Sequence, residues 1–187
     1  MNTDTQRLNN WVDSYTSDML AWTSYRISDA EVAKDIVQET FFSVVKNINN
    51  FKEESNPKTW IFSILNNKIA DYYRKKYREA KSVDYDNVSS YFTSSGEWKK
   101  DKMPTDWAMG DEDQHLLDNL EFIEILNYCI KNLPGKFESV INMKYYTEKS
   151  TPQICQELGI STTNMWQIMH RAKLKLRECI DKNWFNN

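Results

Sequence analysis

The sequence predicts an all-α protein: two helical domains joined by an acidic linker, the C-terminal one a helix-turn-helix. Three observations predict it. The 187 residues include only 4 Gly and 4 Pro, too few for a sandwich or barrel, which needs a turn roughly every 8–12 residues. Apolar residues recur at helical spacing on both sides of a polar stretch. Near the C-terminus a short helical run, a glycine-bearing turn and a longer helical run follow one another.

Each element has a local reason. A helical N-terminal segment starts near Gln6. Ser28-Asp29-Ala30-Glu31 reads as a capping box that opens a helix to about Asn47. Asn56-Pro57 sets a cap residue before a proline at the first helical position and opens a helix to about Arg78. Thr151-Pro152 repeats that arrangement for a short helix. It stops near Gly159, and Ser161 caps a second helix running to about Ile180. The chain divides into residues 1–78, a linker over 79–118, and residues 119–187. Trp98 and Trp107 in the linker predict that it holds some packed structure.

The net charge is −3, which by itself does not suggest nucleic-acid binding. Its distribution does. Lys68 to Lys81 carries six Lys/Arg against two acids, and Met165 to Lys182 five against two. Between them, Ser82 to Asp118 carries nine acids against three lysines. Two basic zones flank an acidic spacer.

The outward faces carry the functional reading. On the helix from Ser28, the stripe Ala33, Ile36, Val37, Phe41, Val44 and Ile48 reads as core. The opposite face holds Asp35, Gln38, Glu39, Phe42 and Lys46. An aromatic amid those polar groups fits a protein partner, and equally a single stray ring on a solvated face. On the next helix Trp60, Ile61, Ile64, Leu65 and Tyr72 read as inward, and Thr59, Phe62, Ser63, Asn66 and Tyr73 as outward, beside the run Arg74-Lys75-Lys76-Tyr77-Arg78. Rings stack on unpaired bases, amides read base edges and a basic end neutralises phosphates. Taken alone, a helix-packing face explains that stripe better. On the last helix Met165, Ile168, Met169, Ala172 and Leu176 point inward. Thr163, Gln167, His170 and Arg171 point outward, flanked by Asn164 and Lys173. Hydroxyl, amide, imidazole and guanidinium groups at the start of such a helix suit major-groove edges. Lys173, Lys175 and Arg177 suit phosphates.

Other classes find no support. The three cysteines, Cys129, Cys155 and Cys179, are odd in number, lack CxxC spacing, and read as reduced thiols. His115 and His170 stand far apart, so no metal site and no cofactor is expected. No Walker loop, GxGxxG or GxSxG occurs, and no enzyme is expected. No stretch approaches the roughly 20 apolar residues of a membrane span, and the N-terminus MNTDTQRLNNW carries no signal-peptide pattern. A cytoplasmic protein is expected.

The stretches DAEVAKDIVQETFFSVVKNINNF and NPKTWIFSILNNKIADYYRKKYR resemble region 2 of the extracytoplasmic-function sigma factors of bacterial RNA polymerase, in the sigma-70 family. The stretch LPGKFESVINMKYYTEKSTPQICQELGISTTNMWQIMHRAKLKLREC resembles their region 4. The resemblance implies a promoter-directing factor whose partners are core RNA polymerase, promoter DNA and, in the general pattern, an anti-sigma factor. It implies that Asp35, Gln38, Glu39 and Phe42 bind core polymerase. Asn50, Lys52, Ser55 and Asn56 would capture a flipped base of the −10 element, since a paired base cannot present its Watson–Crick edge. Lys58, Trp60, Asn66, Asn67 and Arg74 would meet −10 DNA and its backbone. Thr162, Thr163, Asn164, Gln167, His170, Arg171 and Lys173 would serve the −35 element. Met165-Trp166 departs from the family's usual pair, and Trp166, at the edge of the outward face, packs either on its own domain or against DNA. The competing reading is a helix-turn-helix regulator with a ligand-sensing or dimerising N-terminal domain, which has no reason to present the Asp35–Phe42 face to a polymerase.

Overall fold

The computed structural model describes residues 3–51, 56–80, 99–100, 116–147 and 149–185. Lys52, Ser55, His115 and the linker tryptophans lie outside the described residues. All regular structure among the described residues is helical: α1 (Thr3–Arg26), α2 (Ala30–Asn47), α3 (Pro57–Glu79), α4 (Leu120–Lys131), α5 (Gly135–Tyr146), α6 (Thr151–Leu158) and α7 (Thr162–Ile180). They fall into two compact units, Met1–Lys75 with Asn142–Ser150, and Lys76–Ile141 with Thr151–Asn187.

In the first unit α1 packs on α2. Asp29, not Ser28, caps α2, its carboxylate accepting from the Glu31 and Val32 amides. The expected box is therefore replaced by a one-sided cap one residue on, the Glu31 carboxylate pairing with Lys34 instead of reaching back. Met19, Ile27, Ala33, Val37, Val44, Ile61, Leu65 and Ile69 are buried and form the core. Two buried hydroxyls avoid a desolvation penalty locally: Thr23 donates to the Met19 carbonyl at 2.7 Å and Thr40 to the Ile36 carbonyl at 2.8 Å. α3 begins as expected, with Asn56 accepting from the Lys58 amide at 2.9 Å. Its inward stripe in this unit is Ile61, Leu65, Ile69 and Tyr73, four residues each four apart. Tyr73 is therefore buried and Tyr72 half-buried, the reverse of the sequence expectation. Tyr73 also gives its hydroxyl to the Arg26 carbonyl, which satisfies a group at the C-terminal end of α1.

In the second unit α4 packs on α7, and α6 on α7. Phe122, Cys129 and Ile180 form a buried cluster, covered by Ile125, Leu126, Leu176, Trp184 and Phe185. Cys129 and Cys179 form a disulfide, with their Cα atoms 5.8 Å apart. This corrects the expectation of three reduced thiols; only Cys155 is a free thiol, and it is buried. The two partners lie 50 residues apart in sequence. Their pairing follows from the packing of α4 on α7 and leaves no spacing signature.

Candidate nucleic-acid and protein-binding faces

The outward face of α2 is built as the periodicity predicts. Asp35, Gln38, Glu39 and Phe42 are all exposed. Phe42 is 68% exposed, and beside it, three residues on, Val45 is 52% exposed. Sequence reasoning missed Val45. The available signal was its spacing, three residues after Phe42, which puts both on one side of the helix. Phe42 and Val45 form an apolar spot bordered by acids and an amide. Glu39 reaches Lys68 of α3 at 3.2 Å, which ties this border to the neighbouring helix.

The residues assigned to −10 DNA divide in two. Asn50, Asn56, Lys58 and Asn67 are exposed. Lys58 pairs with Asp18 of α1 at 2.6 Å, both about half exposed. An exposed pair of this kind is worth at most about 1 kcal/mol, so it holds the ammonium only weakly. Trp60, Asn66 and Arg74 are half-buried and already engaged. Trp60 lies 4.9 Å from Phe51 and 6.2 Å from Trp11 between ring centroids. The Arg7 guanidinium sits 5.2 Å from the Trp11 ring. Asn66 accepts from the Trp22 indole at 3.0 Å, and Phe62 packs edge-on to Trp22 at 5.7 Å. Arg74 pairs with Asp71 one turn before it. Phe62, Asn66 and Tyr73 of the outward stripe are thus engaged with α1, in line with the helix-packing reading that the sequence alone favoured. Of that stripe, Thr59 and Ser63 stay exposed.

Two charged clusters were not legible in the sequence. The Arg26 guanidinium lies 3.5 Å over the Trp22 ring and 5.2 Å from the Tyr146 ring. Burial lowers its pKa, against the pull of Tyr146, Tyr25 and Tyr73. Burial also pushes the Tyr146 phenol up to about 12. Lys76, counted in the basic run, meets Glu138 at 2.7 Å. Burial raises the Glu138 carboxyl although Lys76 opposes it. Lys76 is therefore held by a buried carboxylate, while Lys75 and Arg78 of the same run stay exposed.

The helix-turn-helix is α6, the turn and α7. Gly159 has φ +66, a left-handed value that a side chain disfavours. Ser161 accepts from the Asn164 amide at 3.1 Å and caps α7. Met165, Ile168, Met169 and Ala172 are buried, as is Leu174, which the sequence reading did not place. Thr162, Thr163, Gln167, His170 and Lys173 are exposed, whereas Asn164 and Arg171 are half-buried. Trp166 is 59% exposed. It stands four residues after Thr162 and four before His170, toward the edge of the polar face as the sequence spacing places it.

Among the described residues no helix is long and apolar enough to cross a membrane, and no three potential metal ligands gather. Together, an amphipathic helical unit with an exposed aromatic face and a capped helix-turn-helix describe a two-part nucleic-acid-binding protein. The Sigma-70 region 2 model matches residues 11–79 and the Sigma-70, region 4 model residues 123–176. A probable RNA polymerase sigma factor of Haemophilus influenzae is 37% identical over 169 residues, 89% of this chain and 86% of that protein. The RNA polymerase sigma factor YlaC of Bacillus subtilis is 25% identical over 90% of this chain and 89% of its own. The sigma factor RpoE, in its co-crystal with the anti-sigma factor NepR from Bartonella quintana, aligns with a TM-score of 0.43 at 18% identity, over 95% of this chain and 99% of that one. The chain belongs to the sigma-70 family of RNA polymerase sigma factors, in its extracytoplasmic-function group.

Proposed function

We propose that this chain binds core RNA polymerase, directs it to promoters and opens the −10 element, and that it does so in the cytoplasm without covalent chemistry of its own. Residues 1–78 supply the polymerase and −10 contacts, 79–118 the acidic connection, and 119–187 the −35 contacts. The observation that carries this reading is the coexistence, in one chain of this family, of the Asp35, Gln38, Glu39 and Phe42 face with a helix-turn-helix. Val45 joins the polymerase face beside Phe42, where the two side chains form a single apolar spot. Aromatic rings ringed by polar groups are the anchors of protein interfaces.

For −10 DNA, the exposed Asn50, Asn56, Lys58 and Asn67 lead, with Lys52 and Ser55, which lie between Asn50 and Asn56 in sequence, as further candidates. Trp60, Asn66 and Arg74 support the surface from beneath, and any base contact by them requires release of their present partners. For the −35 element, Thr162, Thr163, Gln167 and His170 face outward to read base edges. Lys173 meets phosphate, while Asn164 and Arg171 flank the face. An anti-sigma factor is a further partner in keeping with the family.

The test is co-elution with core RNA polymerase of the same organism, wild type beside a Gln38→Ala/Glu39→Ala/Phe42→Ala variant. Wild type co-elutes and the folded variant does not. Absence of wild-type binding overturns the reading, and undiminished binding by the variant removes α2 as the docking face.

A further inference from the structure

The α7 reading face holds a group of the wrong polarity for its neighbours. Thr162, Thr163, Gln167 and His170 all offer hydrogen-bonding groups to solvent. Trp166 stands beside them and is 59% exposed. It makes no hydrogen bond, ring contact or ion pair with any described residue. The core side of α7 is filled by Met165, Ile168, Met169 and Ala172, so the indole has no place in the domain interior. An apolar ring left in water forgoes about 25 cal/mol for each Å² that a partner would cover.

The major groove presents one apolar group, the C5-methyl of thymine, and apolar side chains recognise it by contact. The remaining base-edge groups are donors and acceptors, which the threonines, Gln167 and His170 match. Successive bases of one strand rise by about 3.4 Å, so one indole is wide enough to cover the methyls of two adjacent thymines. We infer that Trp166 is a specificity-determining residue that selects thymine in the −35 element by covering its C5-methyl group. This inference rests on the sigma-factor reading above and adds the base and the group recognised.

The experiment uses holoenzyme reconstituted from core polymerase and full-length chain, wild type, Trp166→Ala and Trp166→Phe. Circular dichroism checks that helix content is kept. Each holoenzyme selects promoters from a library randomised across the −35 region. Wild type enriches thymine at one or two positions, W166A loses that enrichment while neighbouring preferences stay, and W166F keeps part of it. Deoxyuridine is then placed at the selected positions, which removes the methyl and leaves the hydrogen-bonding pattern intact. It weakens wild-type binding about fourfold per methyl, the factor that corresponds to roughly 0.8 kcal/mol for one buried carbon. It leaves W166A binding unchanged. The inference is overturned if W166A retains the thymine preference, or is weakened equally on every sequence, or shows the wild-type response to deoxyuridine. If wild-type holoenzyme selects no −35 sequence at all, the sigma-factor reading itself fails and takes this one with it.

Discussion

Opening the Cys129–Cys179 bond should loosen the α4–α7 packing without dissolving it. The bond closes a loop with a sequence separation of 50. On the chain-entropy account, a cross-link of that span withholds about 4 kcal/mol of conformational freedom from the unfolded chain at 25 °C. With roughly 1.4 kcal/mol per factor of ten, reduction should raise the population of globally opened α4 and α7 on the order of a thousandfold. The apolar shell of Phe122, Ile125, Leu126, Leu176 and Ile180 remains, so the elements stay folded under native conditions. The assay is native-state hydrogen exchange of α4 and α7 amides, with and without dithiothreitol. Cys179→Ala serves as a permanently open control, because Cys179 is the more exposed partner. A thiol count in denaturant accompanies it: of the three cysteines only Cys155 reacts before reduction. Disulfides are rare in reducing cytosol, so chain purified under air and chain quenched directly from cells should be counted side by side. Three reactive thiols in the air-purified chain would refute the pairing. Amide protection that changes less than tenfold on reduction would refute the energetic argument.

Two further outcomes concern stability. Ser161→Ala removes the side-chain acceptor of the Asn164 amide and should lower stability by about 1 kcal/mol in urea titration, with Ser161→Asp restoring it; equal stability of all three would show that water caps α7 as well. The raised native pKa of Glu138 means that the folded chain keeps this proton to higher pH than the unfolded chain does. The native state then binds more protons between the two values, and stability falls as pH rises through that window and levels above it. Glu138→Gln should flatten the urea-derived stability profile just above the ordinary carboxylate range, and a variant profile as steep as wild type would contradict burial as the cause.

Sequence alone determined what is decided within a few residues of backbone. The start of α3 follows from Asn56-Pro57, because an amide oxygen and a proline satisfy and pre-shape a first turn without any tertiary help. The bend before α7 follows from Gly159 and Ser161 in the same way. Apolar periodicity placed Ala33, Ile36, Val37 and Val44 inside, and the acidic and amide face of α2 outside.

Only tertiary structure decided which of several compatible partners each side chain takes. Tyr72 and Tyr73 are adjacent on α3, and the i+4 row from Ile61 to Tyr73 selects Tyr73 for the core. The family resemblance sets Trp60 and Asn66 at −10 DNA, whereas in the fold Trp11 and Trp22 of α1 engage them. Cys129 and Cys179 pair because two helices bring their backbones within bonding range. Trp166 is outward because smaller and more flexible neighbours already fill the inner side of α7. Helical propensity and capping are settled by short-range geometry, whereas burial and pairing are settled by competition among residues far apart in the chain, whose outcome the local pattern does not contain.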